Sequence, residues 1–134
     1  MNKYQYVCEN YKKPKPILFN TEMVQAILEG RKGQTRRPID VDISNNFDCD
    51  PDGTVVAYMN PETGDMYDPL EIAPYKQGDI LYVRETFYPC KHVIIDGEQQ
   101  YLYRATFEQP EKYPDFKPKW KPSIHMPKEA ARIF

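Results

Sequence analysis

Five side chains between positions 31 and 37 could bind or act on an anionic ligand: Arg31, Lys32, Thr35, Arg36 and Arg37. In an extended chain successive side chains point to opposite sides, so Arg31, Thr35 and Arg37 would share one face of a basic strand. Four cations and a hydroxyl in seven positions are typical of a solvated edge strand, which carries charge to discourage pairing. The same residues equally suit a site for a nucleotide or another anion.

Glu85 is the second residue that could do chemistry. It lies in the strongest predicted strand, residues 80–88, on the same face as Leu81, Val83 and Phe87. A carboxylate on an inward face must be paired, hydrogen-bonded or protonated, because desolvating an isolated charge is costly. We expect its partner to be Lys32, Arg36 or Arg104, either as a structural ion pair or as part of a site.

A third candidate is Trp120, the only tryptophan, which stands among Lys117, Lys119 and Lys121. Cations beside an aromatic ring suit phosphate contact with base stacking. A tryptophan that closes one end of a barrel, with solvated lysines around it, fits the pattern as well. The residues predicted to bind a ligand or nucleic acid are Arg31, Lys32, Arg36, Arg37, Arg84, Arg104, Trp120 and His125.

Short elements must position these residues. A helix is predicted from the cap Asn20 to Gly30, with Phe19 and Val24 at hydrophobic-staple spacing and an apolar face of Met23, Val24, Ile27 and Leu28. A hairpin is predicted about Asp96 and Gly97. Residues 1–16 are expected to form a poorly fixed arm or an added edge segment that enters the fold through a strand at residues 17–19. Thirteen prolines argue against long helices, and residues 108–127 should lack regular structure.

Charge is unevenly distributed along the chain. The net charge is -2, yet residues 40–75 hold nine acids and no Lys or Arg, which leaves 11 acids and 18 bases, a net of +7, elsewhere. This distribution does not exclude a polyanionic partner, because binding depends on the local field. Residues 48–53 resemble the opening of a calcium loop, but Met59 stands where a bidentate Glu is required, so a turn before a strand at residues 54–59 is predicted, with a further strand near residues 66–67.

Four blocks together resemble the ASCH domains of the PUA-like superfamily, in a form common in phages and prophages. They are a helix ending in Gly30, Arg31 and Lys32, then residues 77–86, 101–105 and 120–127. The resemblance implies an α+β fold, a small and mostly antiparallel PUA-like β-barrel with one or two short helices. Residues 1–134 would form a single domain with an acidic hairpin insertion at about 40–75. Family members continue beyond position 134, so residues 130–134 complete the sheet, or the chain is truncated, or the N-terminal arm replaces a strand.

The resemblance implies three functions. The first is binding of nucleic acid or a modified nucleotide. The second is hydrolysis of acylated cytidine-type nucleosides, with Lys32 as base, Thr35 as nucleophile and Glu85 as orienting group or acid; Gly33 departs from the bulkier hydroxyl residue of such amidohydrolases. The third is that of a phage accessory protein whose acidic insertion binds a host protein.

The composition sets the remaining expectations. Cys8, Cys49 and Cys90 are odd in number and scattered, so we expect reduced thiols in a cytoplasmic protein. No apolar run reaches the length of a membrane span. Cys90 and His92 could be imagined as metal ligands, but no second pair stands at zinc spacing, so no metal site is expected. No cofactor is expected either.

Overall fold

The computed structural model describes residues 1–134, which form two compact units. The terminal unit comprises Met1–Gln34 and Ile80–Phe134, and the middle unit comprises Thr35–Asp79. Four α-helices and seven β-strands are present: α1 (Lys3–Asn10), β1 (Lys15–Leu18), α2 (Thr21–Leu28), α3 (Val41–Ser44), β2 (Phe47–Cys49), β3 (Val55–Met59), β4 (Met66–Tyr67), α4 (Pro69–Ile72), β5 (Leu81–Arg84), β6 (Phe87–Ile95) and β7 (Glu98–Tyr103). The fold is mixed α/β, and none of its sheets closes into a barrel.

The terminal unit contains two separate two-stranded ladders. Strands β1 and β5 are parallel, whereas β6 and β7 form an antiparallel hairpin. The hairpin turns at Asp96 and Gly97, both with positive φ, as predicted. Phe87 forms an isolated antiparallel bridge to Lys121, which places one point of the proline-rich segment beside β6.

The predicted strand at residues 80–88 is divided. Its alternation is confirmed, since Val83, Glu85 and Phe87 are all buried. However, β5 follows β1 only as far as Arg84, and β6 begins at Phe87 where pairing with β7 starts. Because the chain changes from pairing with β1 to pairing with β7, Glu85 and Thr86 belong to neither ladder.

Helix α2 begins and ends where the sequence predicts. The Asn20 side chain accepts the Met23 N–H at 2.8 Å, and Gly30 leaves the helix with φ of 76°. Val24 is fully buried and Phe19 nearly so, as staple residues should be. The predicted apolar face is wrong at Leu28, which is 47% exposed at the end of the helix.

The prediction of a poorly fixed N-terminal arm is also wrong, because residues 3–10 form α1. Asn2 and Gln5 make a reciprocal capping box, with bonds of 2.9 and 3.1 Å. Tyr4 and Val7, three positions apart, are buried on one face, and the Tyr4 ring packs edge-on against Tyr82 at 5.3 Å. The following strand, β1, is confirmed. The structure thus has four α-helices where one or two were predicted.

A buried cluster lies between the hairpin and the C-terminal segment. It is formed by Phe87, Met126, Ala130 and Ala131, against which Tyr101 and Tyr103 pack. The Val83 N–H donates to the Ile133 carbonyl at 3.0 Å, so the last residues run beside β5. Residues 108–127 contain one 3-10 turn, Ser123–His125, and the Lys121 bridge, but no α-helix or β-strand, in agreement with their proline content.

The middle unit contains a three-stranded antiparallel sheet in the order β2-β3-β4. In the sequence, α3 precedes this sheet and α4 follows it. The strands expected near residues 54–59 and 66–67 are confirmed as β3 and β4. The calcium-like segment is a turn, because the Asp50 carboxylate accepts the N–H groups of Asp52 and Thr54 at 3.0 and 2.9 Å.

Candidate functional site

The reversal at Gly30 creates an open hollow along one side of α2. The N–H groups of Arg31 and Lys32 both donate to the Ala26 carbonyl, at 2.8 and 3.1 Å, so the chain folds back against the last turn of the helix. The hollow has a volume of about 720 Å³. Its walls are Asn20, Glu22, Met23 and Ala26 on one side and residues 31–34 on the other.

Lys32 is the free cation of this hollow. Arg31 is engaged by Glu29, with 2.5 Å between the guanidinium Nε and a carboxylate oxygen. The Lys32 side chain is half-buried, and its ammonium group makes no hydrogen bond or ion pair. An unpaired ammonium in an open polar hollow is suited to bind an anionic group from outside the protein.

The basic segment after Gly30 is not a strand, contrary to the prediction. Residues 31–40 have no regular secondary structure and join no ladder. A strand requires a hydrogen-bonded neighbour, whereas the first residues of this segment are tied to the helix terminus at Ala26. Thr35, Arg36 and Arg37 belong to the middle unit, where all three are exposed.

Glu85 is held by Arg132, and the predicted pairing with Lys32, Arg36 or Arg104 is wrong. The Glu85 side chain is 1% exposed, and its two oxygens accept from Arg132 Nε and Nη2 at 3.0 and 2.8 Å. The third guanidinium nitrogen, Nη1, donates to the Thr106 hydroxyl at 3.0 Å. A bidentate arginine leaves little of the carboxylate unsatisfied, as burial of the charge demands.

Glu85 is not part of the hollow beside α2. It is not among the residues that line this hollow, and the Lys32 ammonium has no acidic partner. The catalytic grouping of Lys32, Thr35 and Glu85 stays a prediction, and the direct chemical role visible for Glu85 is to neutralise Arg132 inside the terminal unit.

Sequence reasoning did not identify Arg132. It is the only charged residue among residues 130–134, which otherwise read Ala130, Ala131, Ile133 and Phe134. A lone arginine in an apolar stretch needs a buried acid, just as Glu85 needs a buried base. The two patterns together could have suggested the pair, although they lie 47 residues apart.

Tyr103 covers the guanidinium of this pair. The carbon at the centre of the Arg132 guanidinium lies 4.0 Å from the Tyr103 ring centroid, and the Tyr103 hydroxyl donates to the Ala130 carbonyl. Burial raises the pKa of Tyr103 to about 12, and the nearby Arg132 charge opposes that rise only in part.

We expect the stability of the protein to fall as the pH rises from about 10 to about 12. Tyr103 ionises near pH 10 in the unfolded chain but only near 12 in the folded one, so its contribution is complete below pH 10 and is lost across this interval. Urea midpoints measured from pH 9 to 12 should fall less steeply for Tyr103→Phe than for the unmodified protein. Tyr11→Phe, at a position 69% exposed, is the control and should leave the pH profile unchanged. Parallel profiles for the unmodified protein and Tyr103→Phe would contradict this assignment.

Two other candidate arginines have different surroundings. Arg84 donates from Nε to the Met126 carbonyl at 3.1 Å and from Nη2 to the Ile124 carbonyl. These two hydrogen bonds link residues 124–126 to β5. Arg104 is exposed, and its backbone N–H donates to Thr86.

Trp120 belongs to an aromatic cluster of the terminal unit. Its ring meets Phe107 edge-on at 5.3 Å, Phe107 lies 6.3 Å from Phe116, and Phe116 lies 6.0 Å from Tyr88. Trp120 is half-buried, and the lysines at positions 117, 119 and 121 are exposed. His125 is exposed in the 3-10 turn Ser123–His125. None of these residues lines the hollow beside α2.

No three or more histidine, cysteine, aspartate or glutamate side chains are grouped so that they could hold a metal ion. The helices are too short and too polar for any of them to cross a bilayer. No protein-family model matches the chain, and neither the curated proteins nor the solved structures include a significant match to it.

Proposed function

We propose that this protein binds a nucleic acid or a nucleotide, as an ASCH domain of the PUA-like superfamily would. The observation that carries the proposal is the unpaired Lys32 ammonium in the open hollow beside α2. A phosphate there could receive a charge-assisted hydrogen bond without displacing any protein partner. The exposed Gln34 and Asn20 at the hollow's walls supply neutral donors and acceptors for a sugar or base.

The charge of the terminal unit supports the same proposal. This unit holds 15 Lys and Arg against 10 Asp and Glu, a net of +5, whereas the middle unit holds 3 against 10, a net of -7. Exposed cations on one unit give it a local field that attracts polyanions even though the whole chain is slightly acidic. The half-buried Trp120 among exposed lysines adds a surface on which a base could stack.

The resemblance to ASCH domains extends this proposal to the fold. The ladders β1-β5 and β6-β7 and the Phe87 bridge to Lys121 would be the parts of a PUA-like barrel. Support comes from the inward alternation of Val83, Glu85 and Phe87, which continues from one ladder into the next. Three free cysteines support a location in the reducing cytoplasm.

Fluorescence anisotropy with labelled single-stranded RNA, hairpin RNA and single-stranded DNA tests the proposal. Binding should weaken between 50 and 200 mM salt, because phosphate contacts release counterions. Lys32→Ala should weaken binding and reduce the slope of log K against log salt by about 0.7 on a single strand, the value for one lost phosphate contact.

Lys91→Ala is the matched control, since Lys91 is exposed on β6 of the same unit and away from the hollow. It should leave both the affinity and the salt slope nearly unchanged. Absence of salt-sensitive binding to every oligonucleotide, or an equal loss in the two lysine variants, would show that Lys32 does not mark a nucleic-acid site.

Hydrolysis of an acylated cytidine-type nucleoside is the second candidate, in which the unpaired Lys32 side chain would have to act in its neutral form. A general base must not be occupied by an ion pair, and Lys32 meets this condition. Release of the free acid from an N4-acylated cytidine, followed by chromatography, should then be abolished by Lys32→Ala and Thr35→Ala but retained by Lys91→Ala. Intact substrate after incubation with the unmodified protein would exclude this chemistry.

A further inference from the structure

The middle unit exposes an unusual amount of apolar surface. None of its 45 residues, Thr35–Asp79, is fully buried. Val56, Met66 and Leu70 are 53%, 54% and 68% exposed. Small sheets normally bury one hydrophobic face, and contiguous exposed apolar patches in folded proteins mark interaction surfaces.

Much of this surface lines one hollow of about 450 Å³. Its walls include Val55 and Val56 of β3, Met66 and Tyr67 of β4, and Leu70 of α4. These five residues are hereafter called the apolar hollow. Between β3 and β4 only two residue pairs are in register, Tyr58 with Tyr67 and Met59 with Met66. On the β4 side, therefore, the first half of β3 faces α4 across the apolar hollow and not another strand.

An open hollow between a strand and a short helix suits an extended segment. A peptide lying over Val55 and Val56 would place alternate side chains toward the apolar hollow and the others toward solvent. Anchoring of alternate side chains in pockets is a recurring feature of peptide recognition.

The charge around the apolar hollow restricts what could occupy it. The middle unit carries a net charge of -7, and Asp68 lies in the wall of the hollow itself. Nucleic acids and the anionic face of a membrane would be repelled by this field. A positively charged protein segment would be attracted, and its apolar side chains would cover the exposed hydrocarbon.

From these observations we infer that the apolar hollow of the middle unit docks an extended, lysine- or arginine-rich segment of another protein, with alternate apolar side chains as anchors. This inference is independent of nucleic-acid binding, because it concerns a different unit and the opposite charge. The acidic residues guide the encounter, and Val56, Met66 and Leu70 supply the apolar contact.

Three short peptides of equal length test the inference on the full chain. One alternates lysine and leucine, one alternates lysine and serine, and one alternates glutamate and leucine. In NMR titrations the lysine-leucine peptide should bind at least about tenfold more tightly than either of the others, and the shifted resonances should lie in residues 47–70. Equal binding of the two lysine peptides would reduce the interaction to charge alone and overturn the inference, as would shifts confined to the terminal unit.

Met66→Ser and Leu70→Ser should each weaken binding of the lysine-leucine peptide by about tenfold or more, the effect of losing an apolar anchor. Both side chains are exposed, so these changes should not disturb folding, which the thermal midpoint would verify. Ile124→Ser, at a 55% exposed position of the terminal unit, is the control and should bind normally. A concentration-dependent dimer in ultracentrifugation that Leu70→Ser dissociates would show that a second copy occupies the hollow, and would overturn the assignment of a foreign partner.

Discussion

Replacing Arg132 by alanine is expected to lower the free energy of unfolding by about 3–5 kcal/mol, the cost of leaving a buried charge without its partner. Glu85 is 1% exposed and both of its oxygens are bound by Arg132, so the variant would retain a buried carboxylate without its basic partner. The Thr106 hydroxyl would also lose its guanidinium donor. Urea unfolding followed by circular dichroism measures the loss.

Arg31→Ala provides a matched control, because Arg31 also pairs with a glutamate. The two side chains of that pair are 63% and 58% exposed, so its removal should cost less than about 1 kcal/mol. A double substitution, Glu85→Leu with Arg132→Leu, should recover much of the stability lost in Arg132→Ala, since no unpaired charge remains. If Arg132→Ala is no less stable than Arg31→Ala, the pair does not hold the C-terminal segment as the geometry indicates.

Phe87→Ala should lower the free energy of unfolding by about 3–5 kcal/mol, the range for emptying a large buried aromatic site. Phe87 is 3% exposed and packs in the cluster with Met126, Ala130 and Ala131. Its ring centroid lies 6.2 Å from that of Tyr101 on the paired strand. The substitution therefore removes contacts from both the hairpin and the C-terminal segment, and neither can collapse into the space without disturbing the other.

Ile94→Ala tests whether the loss of stability in Phe87→Ala comes from burial of the side chain or only from its position on β6. Ile94 lies on β6 but is 65% exposed, so its truncation should change the free energy of unfolding by less than about 0.5 kcal/mol. Differential scanning calorimetry of the two variants should show a large fall in the thermal midpoint for Phe87→Ala alone. Similar midpoints would mean that the cluster around Met126 does not stabilise the terminal unit as its burial indicates.

Local patterns in the sequence predicted several elements correctly. The cap at Asn20 and the positive φ at Gly30 define α2, and Asp96 with Gly97 defines the β6-β7 turn. Each depends on residues within a few positions of one another, where capping and turn preferences act directly. The α1 capping box at Asn2 and Gln5 is equally local. The lysines and prolines that follow α1 are typical of an unstructured arm, and they favoured the wrong prediction for this segment.

The candidate site was less accessible from sequence. Alternation along residues 81–87 predicted that Glu85 is buried, and burial predicted that it has a partner. Which partner it has depends on the path of the last residues beside β5, where Val83 bonds to Ile133 and brings Arg132 over the carboxylate. Nothing in the spacing of Lys32, Arg36 or Arg104 distinguished them from Arg132, because pairing of side chains distant in sequence is decided by packing.

By itself, the sequence determined that a run of basic residues follows the end of α2, that an acid is buried in an alternating segment, and that the acidic residues are concentrated between positions 40 and 75. Only the tertiary structure decided that Arg31 and Lys32 fold back on the helix end, that Glu85 pairs with Arg132, and that Lys32 is left unpaired in an open hollow. The physical reason is one of range. Propensity and periodicity act over a few residues, whereas the partner of a buried charge and the shape of a hollow arise from segments that meet only when the chain has folded.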